Sequence, residues 1–184
     1  METTPYTKKS TKAIKIINII LSITVVILLL ILLTLLFIVS PKIVNGISME
    51  NTFQNGDHIF ILKIGYKYTY GDIVVFERED DKALIKRIIG LPGDVIKFDT
   101  AKNCWIRNDE ILQEDYTKEL SYNSNYFSST SQNLDVHTLL ITTGITVGED
   151  ELFVLGDNRN NSKDSHCYGC IKKDMLIGKY VFKY

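Results

Sequence analysis

Residues 14–39 read IKIINIILSITVVILLLILLTLLFIV, and the portion from 19 to 39 carries no charge and only three polar side chains. As a helix, this portion extends about 30 Å, which is the thickness of the hydrocarbon core of a bilayer. Buried helices of soluble proteins are rarely this long. A cleavable secretory signal has a shorter apolar core followed by a small-x-small site, and no such site follows this run. We therefore predict a retained transmembrane anchor over residues 16–40.

Charges that flank the anchor predict its orientation. Only Lys42 closely follows the apolar run, whereas four lysines precede it: Lys8, Lys9, Lys12 and Lys15. Basic residues accumulate on the cytoplasmic side of membrane proteins. We expect residues 1–15 to form a cytoplasmic tail and residues 41–184 to form one extracytoplasmic domain of a single-pass cell-membrane protein.

The charge balance argues against one class of partner. The 184 residues include 21 basic and 22 acidic side chains, and the outer domain alone has 17 basic and 21 acidic ones. Nucleic-acid binding usually requires a basic face. We expect no nucleic-acid partner, and the outer domain should have a solvated acidic surface.

Beyond Pro41 the pattern changes from one continuous apolar run to short runs bounded by Gly, Pro, Asp or Asn. These runs are rich in Ile, Val, Phe and Tyr, as strands are. They occupy residues 57–62, 72–76, 83–89, 94–98, 152–155 and 177–184. No convincing amphipathic helix follows the anchor. The pattern predicts a mainly β protein, in which one transmembrane helix precedes an all-β domain of antiparallel sheets or a barrel.

The middle of the outer domain is the least informative part of the sequence. Residues 117–133 are polar and rich in Ser and Asn, which predicts an excursion or long loop. Residues 100–150 as a whole resemble no pattern and are interpreted as an insertion within the domain.

A serine in the loop after the anchor is a candidate nucleophile. Ser48 follows Val39 by nine residues, so at about 3.3 Å per residue it lies at most about 30 Å from the membrane surface. A serine acts as a nucleophile only beside a base. His58 and His137 could each form a Ser–His pair, but no motif surrounds either histidine.

Lys86 is the stronger candidate base. Strand alternation in Ala83–Ile89 places Lys86 on one face and Arg87 on the other, and both faces are equally apolar. Chemistry separates the two, because Arg stays charged in a protein whereas a desolvated Lys loses its proton. A free lysine has a pKa near 10.4, and full burial can lower it by roughly 3–5 units. The alternative is a lysine that reaches from a half-buried strand to solvent.

The third candidate stretch is the turn after the run 152–155. Residues 155–165 read LGDNRNNSKDS, a dense set of turn formers with short polar side chains. Asp157, Asn161 and Asp164 are oxygen ligands that could bind calcium, although the EF-hand spacing and its terminal Glu are absent.

Together these stretches resemble the bacterial type I signal peptidases, which are S26-like serine peptidases. The resemblance covers the anchor and most of the outer domain, but not residues 100–150. Four motifs match in order: Gly-Ile-Ser-Met at 46–49, Gly-Asp-Ile-Val-Val-Phe at 71–76, Lys-Arg-Ile-Ile-Gly-Leu-Pro-Gly-Asp at 86–94, and Gly-Asp-Asn-Arg-Asn-Asn-Ser-Lys-Asp-Ser at 156–165.

The resemblance implies a role for each matching residue. Ser48 would be the nucleophile, with its backbone N–H in the oxyanion hole, and Lys86 the general base. Arg87 would be structural, and Ser162 would hydrogen-bond to the base and orient it. The remaining implied roles are support of the site by Asp157 and Asp164, and contact with the substrate near shallow apolar pockets by Met49 and Ile85.

Four positions depart from the pattern of the family. Leu84 stands where an aromatic residue often precedes the base by two positions, and it keeps the surroundings of the lysine apolar. Gly46 stands where a hydroxyl residue often supplies a second oxyanion donor. Asn51 replaces a proline, which predicts a less rigid loop after the nucleophile. His166 stands where an arginine often pairs with the aspartate at Asp164. These departures concern efficiency, because Ser48 and Lys86 are both present.

The family implies removal of signal peptides from exported preproteins after small residues of the Ala-x-Ala type. The preproteins, the lipid bilayer and the export translocase are the expected partners, and neither a metal nor an organic cofactor is expected. Three alternatives stay open: a self-cleaving LexA-like protein, a dedicated peptidase for one pilin or surface protein, and a catalytically silent β-domain that serves in assembly. The first would need a DNA-binding module where this chain has its anchor.

The three cysteines leave further alternatives open. Cys167 and Cys170 form a C-x-x-C that, with His166, could suggest zinc or redox chemistry, but no second pair accompanies it. A disulfide between two of the three cysteines, Cys104 included, or buried free thiols are the other possibilities.

Overall fold

The structure is a computed structural model that describes residues 5–78, 83–118 and 134–184. The chain divides into two compact units, Met1–Val39 and Ser40–Tyr184.

The first unit is the helix α1, Pro5–Ile38. Its part from Lys12 to Ile38 is long and apolar enough to cross a membrane, judged by length and composition alone. The three polar side chains between residues 19 and 38 are satisfied within the helix, because Ser22, Thr24 and Thr34 each donate a hydrogen bond to the carbonyl four residues earlier. An apolar helix with internally satisfied polar groups is suited to a hydrocarbon environment.

The second unit is mainly β. The strands are β1 (Val39–Ile43), β2 (His58–Leu62), β3 (Ile73–Glu77), β4 (Ala83–Gly90), β5 (Val95–Asp99), β6 (Cys104–Arg107), β7 (Glu110–Ile111), β8 (Ile145–Thr146), β9 (Glu151–Leu155), β10 (Ile171–Lys172) and β11 (Leu176–Lys183). Two short helices, α2 (Leu134–Ile141) and α3 (Ser165–Tyr168), and two 3₁₀ turns, Arg159–Asn161 and Lys173–Met175, complete the described elements.

Within the described residues the strands form two sheets. The larger has the order β1-β2-β11-β3-β4-β9-β10, and the smaller has the order β7-β6-β5-β8. In the larger sheet, β11 pairs with β2 and β3, and β4 pairs with β3 and β9, all in antiparallel orientation. β4 therefore lies between β3 and β9, deep in the larger sheet.

Buried apolar side chains of both sheets form the core of the second unit. Trp105 in the smaller sheet is fully buried, and its ring lies 5.2 Å from that of Phe98 and 5.6 Å from that of Phe153 on β9. A second cluster packs under the loop after β1 and includes Val44, Met49, Phe53, Ile59, Ile61, Ile73, Val75 and Ile85. This cluster holds the loop that carries Ser48 against β4.

The predicted fold class is confirmed: a mainly β unit follows one apolar helix that could span a membrane. All six predicted strands are present, with bounds that shift by one residue at most. The expectation that no helix follows the anchor is wrong, since α2 buries Val136 and Leu140. The regular alternation predicted along 177–184 is interrupted by an irregularity in the pairing between Tyr180 and Phe182.

The poorly recognised region contains ordered structure. β6 and β7 pair as a hairpin that extends the smaller sheet, and α2 lies further along the same region. Of the predicted loop 117–133, residues 119–133 lie outside the described residues.

Candidate active site

Ser48 lies in a tight turn that follows β1. Backbone hydrogen bonds from Glu50 N to Ile47 O (3.1 Å) and from Phe53 N to Met49 O (2.8 Å) close this turn. The backbone N–H of Asn158 donates to the Ser48 carbonyl at 3.0 Å, which ties the turn to the loop after β9. We call residues 47–53 the nucleophile turn.

Lys86 lies in the middle of β4, where it pairs with Val74 of β3. β4 is an interior strand of the sheet, flanked by β3 and β9, and the residue exposure of Lys86 is 2%. Its Nζ lies 2.7 Å from the Oγ of Ser48 and donates to the carbonyl oxygen of Ile85 at 2.9 Å. The sequence could not decide between burial and a path to solvent, and in the structure the amine is buried.

Burial changes the proton affinity of this amine. Desolvation lowers the pKa of Lys86 from 10.5 to about 8, while the carboxylates of Asp164 and Asp157 act to raise it. At pH 7, about one molecule in ten then has a neutral amine. An uncharged lysine in contact with a hydroxyl can take the proton of that hydroxyl, which is how a serine becomes nucleophilic.

Arg87 points to the other side of β4 and binds Asp157. Its Nε donates to Asp157 Oδ1 at 2.9 Å and one terminal nitrogen donates to Oδ2 at 2.7 Å, a two-pronged pair whose carboxylate is fully buried. The guanidinium also donates to Gly71 O at 2.7 Å and to Thr52 Oγ1 at 3.2 Å. Arg87 and Asp157 thereby join β4, the nucleophile turn and the loop after β9. Asp157 is thus held by protein partners.

Asp164 is also fully buried. It accepts hydrogen bonds from the backbone N–H of Gly156 at 2.8 Å and from His166 Nδ1 at 2.7 Å. Burial alone would raise the pKa of Asp164, but the neighbouring His166 holds it below its ordinary value. Burial acts to lower the pKa of His166. The carboxylate of Asp164 outweighs burial and raises this pKa to about 9. His166 therefore supplies a positive partner for Asp164 at neutral pH.

Ser162 is buried beside Gly156. A Cβ built on Gly156 would lie 2.2 Å from Ser162 Oγ and 2.5 Å from the carbonyl oxygen of Ser48, so only glycine lets these chains approach. The Ser162 hydroxyl forms no hydrogen bond with Lys86 among the described residues, and it interacts instead with the carboxylate of Asp164, whose pKa it helps to lower. The role of Ser162 in orienting Lys86 stays a prediction.

Met49 and Ile85, the predicted substrate-binding residues, both belong to the apolar cluster under the nucleophile turn. Met49 is buried in the core under the nucleophile turn, with 1% exposure. Ile85 lines a small cavity of about 30 Å³ between residues 42–45 and residues 83–85, which Ile59 and Val75 also line.

The other sequence candidates lie elsewhere or have other contacts. The His58 ring packs edge-on against Tyr184 at 5.5 Å, and His137 lies on α2. All three cysteines are free, and Cys167 Sγ lies 3.2 Å from His166 Nε2. In the described parts of the chain, no cluster of three or more His, Cys, Asp or Glu side chains could hold a metal ion.

Sequence reasoning missed two residues that contact the site. Thr52 donates to Asp157 through its hydroxyl, and Asn158 donates to the carbonyl of Ile47 at 3.0 Å through its side chain. Asn158 lies inside the motif at 156–165 and Thr52 three residues beyond the motif at 46–49, but their partners are 111 and 105 residues away in the sequence.

Comparisons with known proteins find similarity to one family. Residues 16–184 match the family model described as "Signal peptidase, peptidase S26". Over 157 residues the chain is 33% identical to Signal peptidase IB of Staphylococcus aureus (strain Mu50), covering 80% of this chain and 78% of that protein. Over 160 residues it is 30% identical to Probable signal peptidase I-1 of Synechocystis, covering 80% and 72%. A crystal structure of a signal peptidase I from Enterococcus faecalis V583 is 33% identical, with a TM-score of 0.48, and the match covers 64% of this chain and 98% of that one.

Proposed function

The chain belongs to the signal peptidase family, peptidase S26, and we propose that Ser48 is its nucleophile and Lys86 its general base. Membership of the family makes it a serine peptidase that removes signal peptides from preproteins. One observation carries the assignment of residues: the Nζ of a buried lysine lies 2.7 Å from a serine Oγ.

The proposed reaction begins when the neutral Nζ of Lys86 accepts the proton of the Ser48 hydroxyl as Oγ bonds to the scissile carbonyl carbon. The backbone N–H of Ser48 stabilises the charge on the carbonyl oxygen. The ammonium then returns the proton to the leaving amine as the C–N bond breaks. Water attacks the resulting ester, Lys86 takes its proton, and Ser48 Oγ receives that proton back.

The electrostatics around Lys86 suit both halves of this cycle. The amine must be neutral to accept a proton and must carry it briefly afterwards. Burial favours the neutral form, whereas Asp164 and Asp157 favour the ammonium, and together they leave the pKa at about 8. We propose that these two carboxylates support the site in this way.

The cavity beside Ile85 supports a preference for small residues before the cleaved bond. The cavity between residues 42–45 and 83–85 is small, about 30 Å³, and most of the residues that line it are apolar, which suits a small apolar side chain. We propose that this cavity receives the residue at position −1, which gives the Ala-x-Ala preference. Met49 would support the same region from within the core.

The helix α1 supports anchoring in the membrane. Its length and composition suit a single span, and the lysines before the apolar run favour a cytoplasmic amino terminus. We propose that residues 41–184 act on the outer face, where a preprotein emerges from the bilayer and, in our proposal, from the export translocase.

Incubation with preproteins tests the function. Full-length protein in detergent should cut several preproteins after a small residue at −1, and Ser48→Ala should cut none. Replacing the −1 Ala of one preprotein by Leu or Phe should strongly reduce its cleavage, because the proposed cavity for this residue is small. Undiminished cleavage by Ser48→Ala would contradict the assignment of Ser48 as the nucleophile. Cleavage of a single preprotein would identify a dedicated peptidase, and no cleavage would identify a silent β-domain.

The pH dependence tests Lys86 as the base. Because only the neutral amine accepts a proton, kcat/KM should rise about tenfold per pH unit up to the pKa of about 8 and level off above it. Asp164→Asn removes a carboxylate that raises this pKa, so its profile should move to lower pH. The pH profile is measured for the wild type and for Asp164→Asn. Flat profiles, or a shift to higher pH in Asp164→Asn, would exclude Lys86 as the general base.

A further inference from the structure

Asn51 has an unusual backbone conformation close to the nucleophile. It follows Ser48 by three residues and has φ +91°. Asn is one of the few residues that tolerate a positive φ, and proline is held near −65°. The nucleophile turn therefore has a shape that a proline at position 51 could not adopt.

The side chain of Asn51 binds a neighbouring segment. Its Nδ2 donates to the carbonyl oxygen of Tyr116 at 3.0 Å and lies 3.4 Å from that of Thr117. We call residues 112–118 the strap, since this segment follows β7 and lies against the nucleophile turn. A second contact holds the same two segments together: Lys118 Nζ binds Glu50 Oε2 at 2.5 Å.

The strap also contacts the two other parts of the site. The Lys118 N–H donates to the carbonyl oxygen of Asp157 at 2.9 Å. The Tyr116 ring lies under the Arg87 guanidinium, 4.1 Å from its central carbon. Glu114 binds the buried Arg159, which donates to Gly156 O at 3.0 Å. One short segment thus touches the nucleophile turn, the strand of Lys86 and the loop after β9.

We propose that the strap is a positioning element for the reaction and that Asn51 is the residue that attaches the nucleophile turn to it. Asn51 acts through Ser48: the positive φ sets the path of the turn, and the bond to Tyr116 fixes the turn against the strap. This inference rests on the proposed function. It means that the asparagine replaces the stiffness of a proline with a bond to a segment distant in sequence.

A positioning role differs from a structural one in what it changes. Asn51 is exposed, and one exposed hydrogen bond contributes little to the free energy of unfolding. A small displacement of a reacting group, in contrast, can reduce the rate about a hundredfold. Loss of the Asn51 bond should therefore lower kcat without lowering the melting temperature.

Four variants separate the conformation from the bond. Asn51→Gly keeps the positive φ and loses the bond, and Asn51→Asp replaces the donor by an acceptor that faces a carbonyl oxygen. Asn51→Pro removes the conformation itself. Asn103→Gly, at φ +55° in the turn between β5 and β6, is the control.

We expect kcat for a preprotein to fall about tenfold in Asn51→Gly and Asn51→Asp, with KM and melting temperature unchanged, and about a hundredfold or more in Asn51→Pro. The control should keep the wild-type kcat. A wild-type kcat in Asn51→Gly, or a loss that follows the melting temperature, would overturn the proposal. The glycine variant decides the question even where the proline variant does not fold.

Hydrogen exchange separates failure of this inference from failure of the proposed function. The Asn158 amide donates to Ser48 O at 3.0 Å and reports where the nucleophile turn lies. Its exchange should be faster in Asn51→Gly than in the wild type, whether or not any preprotein is cut. An inactive wild type would overturn the function, whereas unchanged Asn158 exchange in Asn51→Gly would overturn the role of the strap.

Discussion

Replacing Lys86 with Met is expected to abolish preprotein cleavage and to leave the protein at least as stable as the wild type. Met fills a similar volume but has no nitrogen to accept the proton of the Ser48 hydroxyl, so the rate should fall at least a thousandfold. The measurement is single-turnover cleavage of a preprotein by the full-length variant, beside its thermal unfolding.

The stability of this variant follows from the pKa of Lys86. The lowering from 10.5 to about 8 corresponds to about 3 kcal/mol against the charged amine in the folded state. Below pH 8 the wild type carries this whole cost, and the cost declines as pH rises towards 10.5, where the unfolded chain also loses its proton. Lys86→Met removes this cost but also loses the two hydrogen bonds of the amine, which cancels about 2 kcal/mol of the gain in stability. Any gain in stability from Lys86→Met should therefore be largest below pH 8 and disappear near pH 10.5.

Lys97→Met is the matched control. Lys97 lies on β5, where its half-exposed side chain reaches Asp109 at 3.5 Å. This variant should keep the wild-type rate and show no pH-dependent gain in stability. If Lys86→Met still cleaves at more than a hundredth of the wild-type rate, the lysine is not the base, whatever its stability.

The candidate site illustrates what a strand pattern can and cannot predict. Alternation placed Lys86 and Arg87 on opposite faces but could not say which face is dry. The difference in acidity between the two side chains favoured Lys86, and the structure buries its amine beside Ser48. The sequence alone does not show that the turn carrying Ser48, 38 residues earlier, packs against the Lys86 amine.

Long-range pairs were beyond the sequence. Arg87 and Asp157 are 70 residues apart, and nothing local indicates that they share a two-pronged ion pair. Asn51 was predicted to loosen the nucleophile turn because proline was missing. Its bond to Tyr116, 65 residues away, supplies a constraint that no reading of residues 46–52 could contain.

The missed helix has a different cause. The eight residues of α2 bury Val136 and Leu140, one turn apart, against the smaller sheet and leave only a short apolar stripe. Leu139 and Ile141 are apolar but exposed, so apolar residues do not mark one face of the helix, and isolated helices of this length are marginal in water. Tertiary packing, rather than local preference, decides this element.

Removing the carboxylate of Asp157 should produce the largest loss of stability. In Asp157→Ala, the Arg87 guanidinium, whose side chain is 12% exposed, loses its two-pronged partner and cannot shed its charge. Breaking a buried ion pair costs about 3–5 kcal/mol, so the melting temperature should fall by about 10 °C or more. Thermal and urea unfolding of the full-length protein measure this loss.

A double variant shows where the loss comes from. If an orphaned charge causes it, Arg87→Met in the Asp157→Ala background should recover most of the stability, since replacing both members of a buried pair by apolar groups is often neutral. Lys102→Ala, which breaks the contact of this exposed lysine with Asp99 at 3.8 Å, should change stability by less than about 1 kcal/mol. A double variant as unstable as the sum of its two single changes would mean that Arg87 and Asp157 stabilise the fold independently. The turn after β9 would then be held by its backbone contacts with the nucleophile turn, and the ion pair would not be what joins β4 to it.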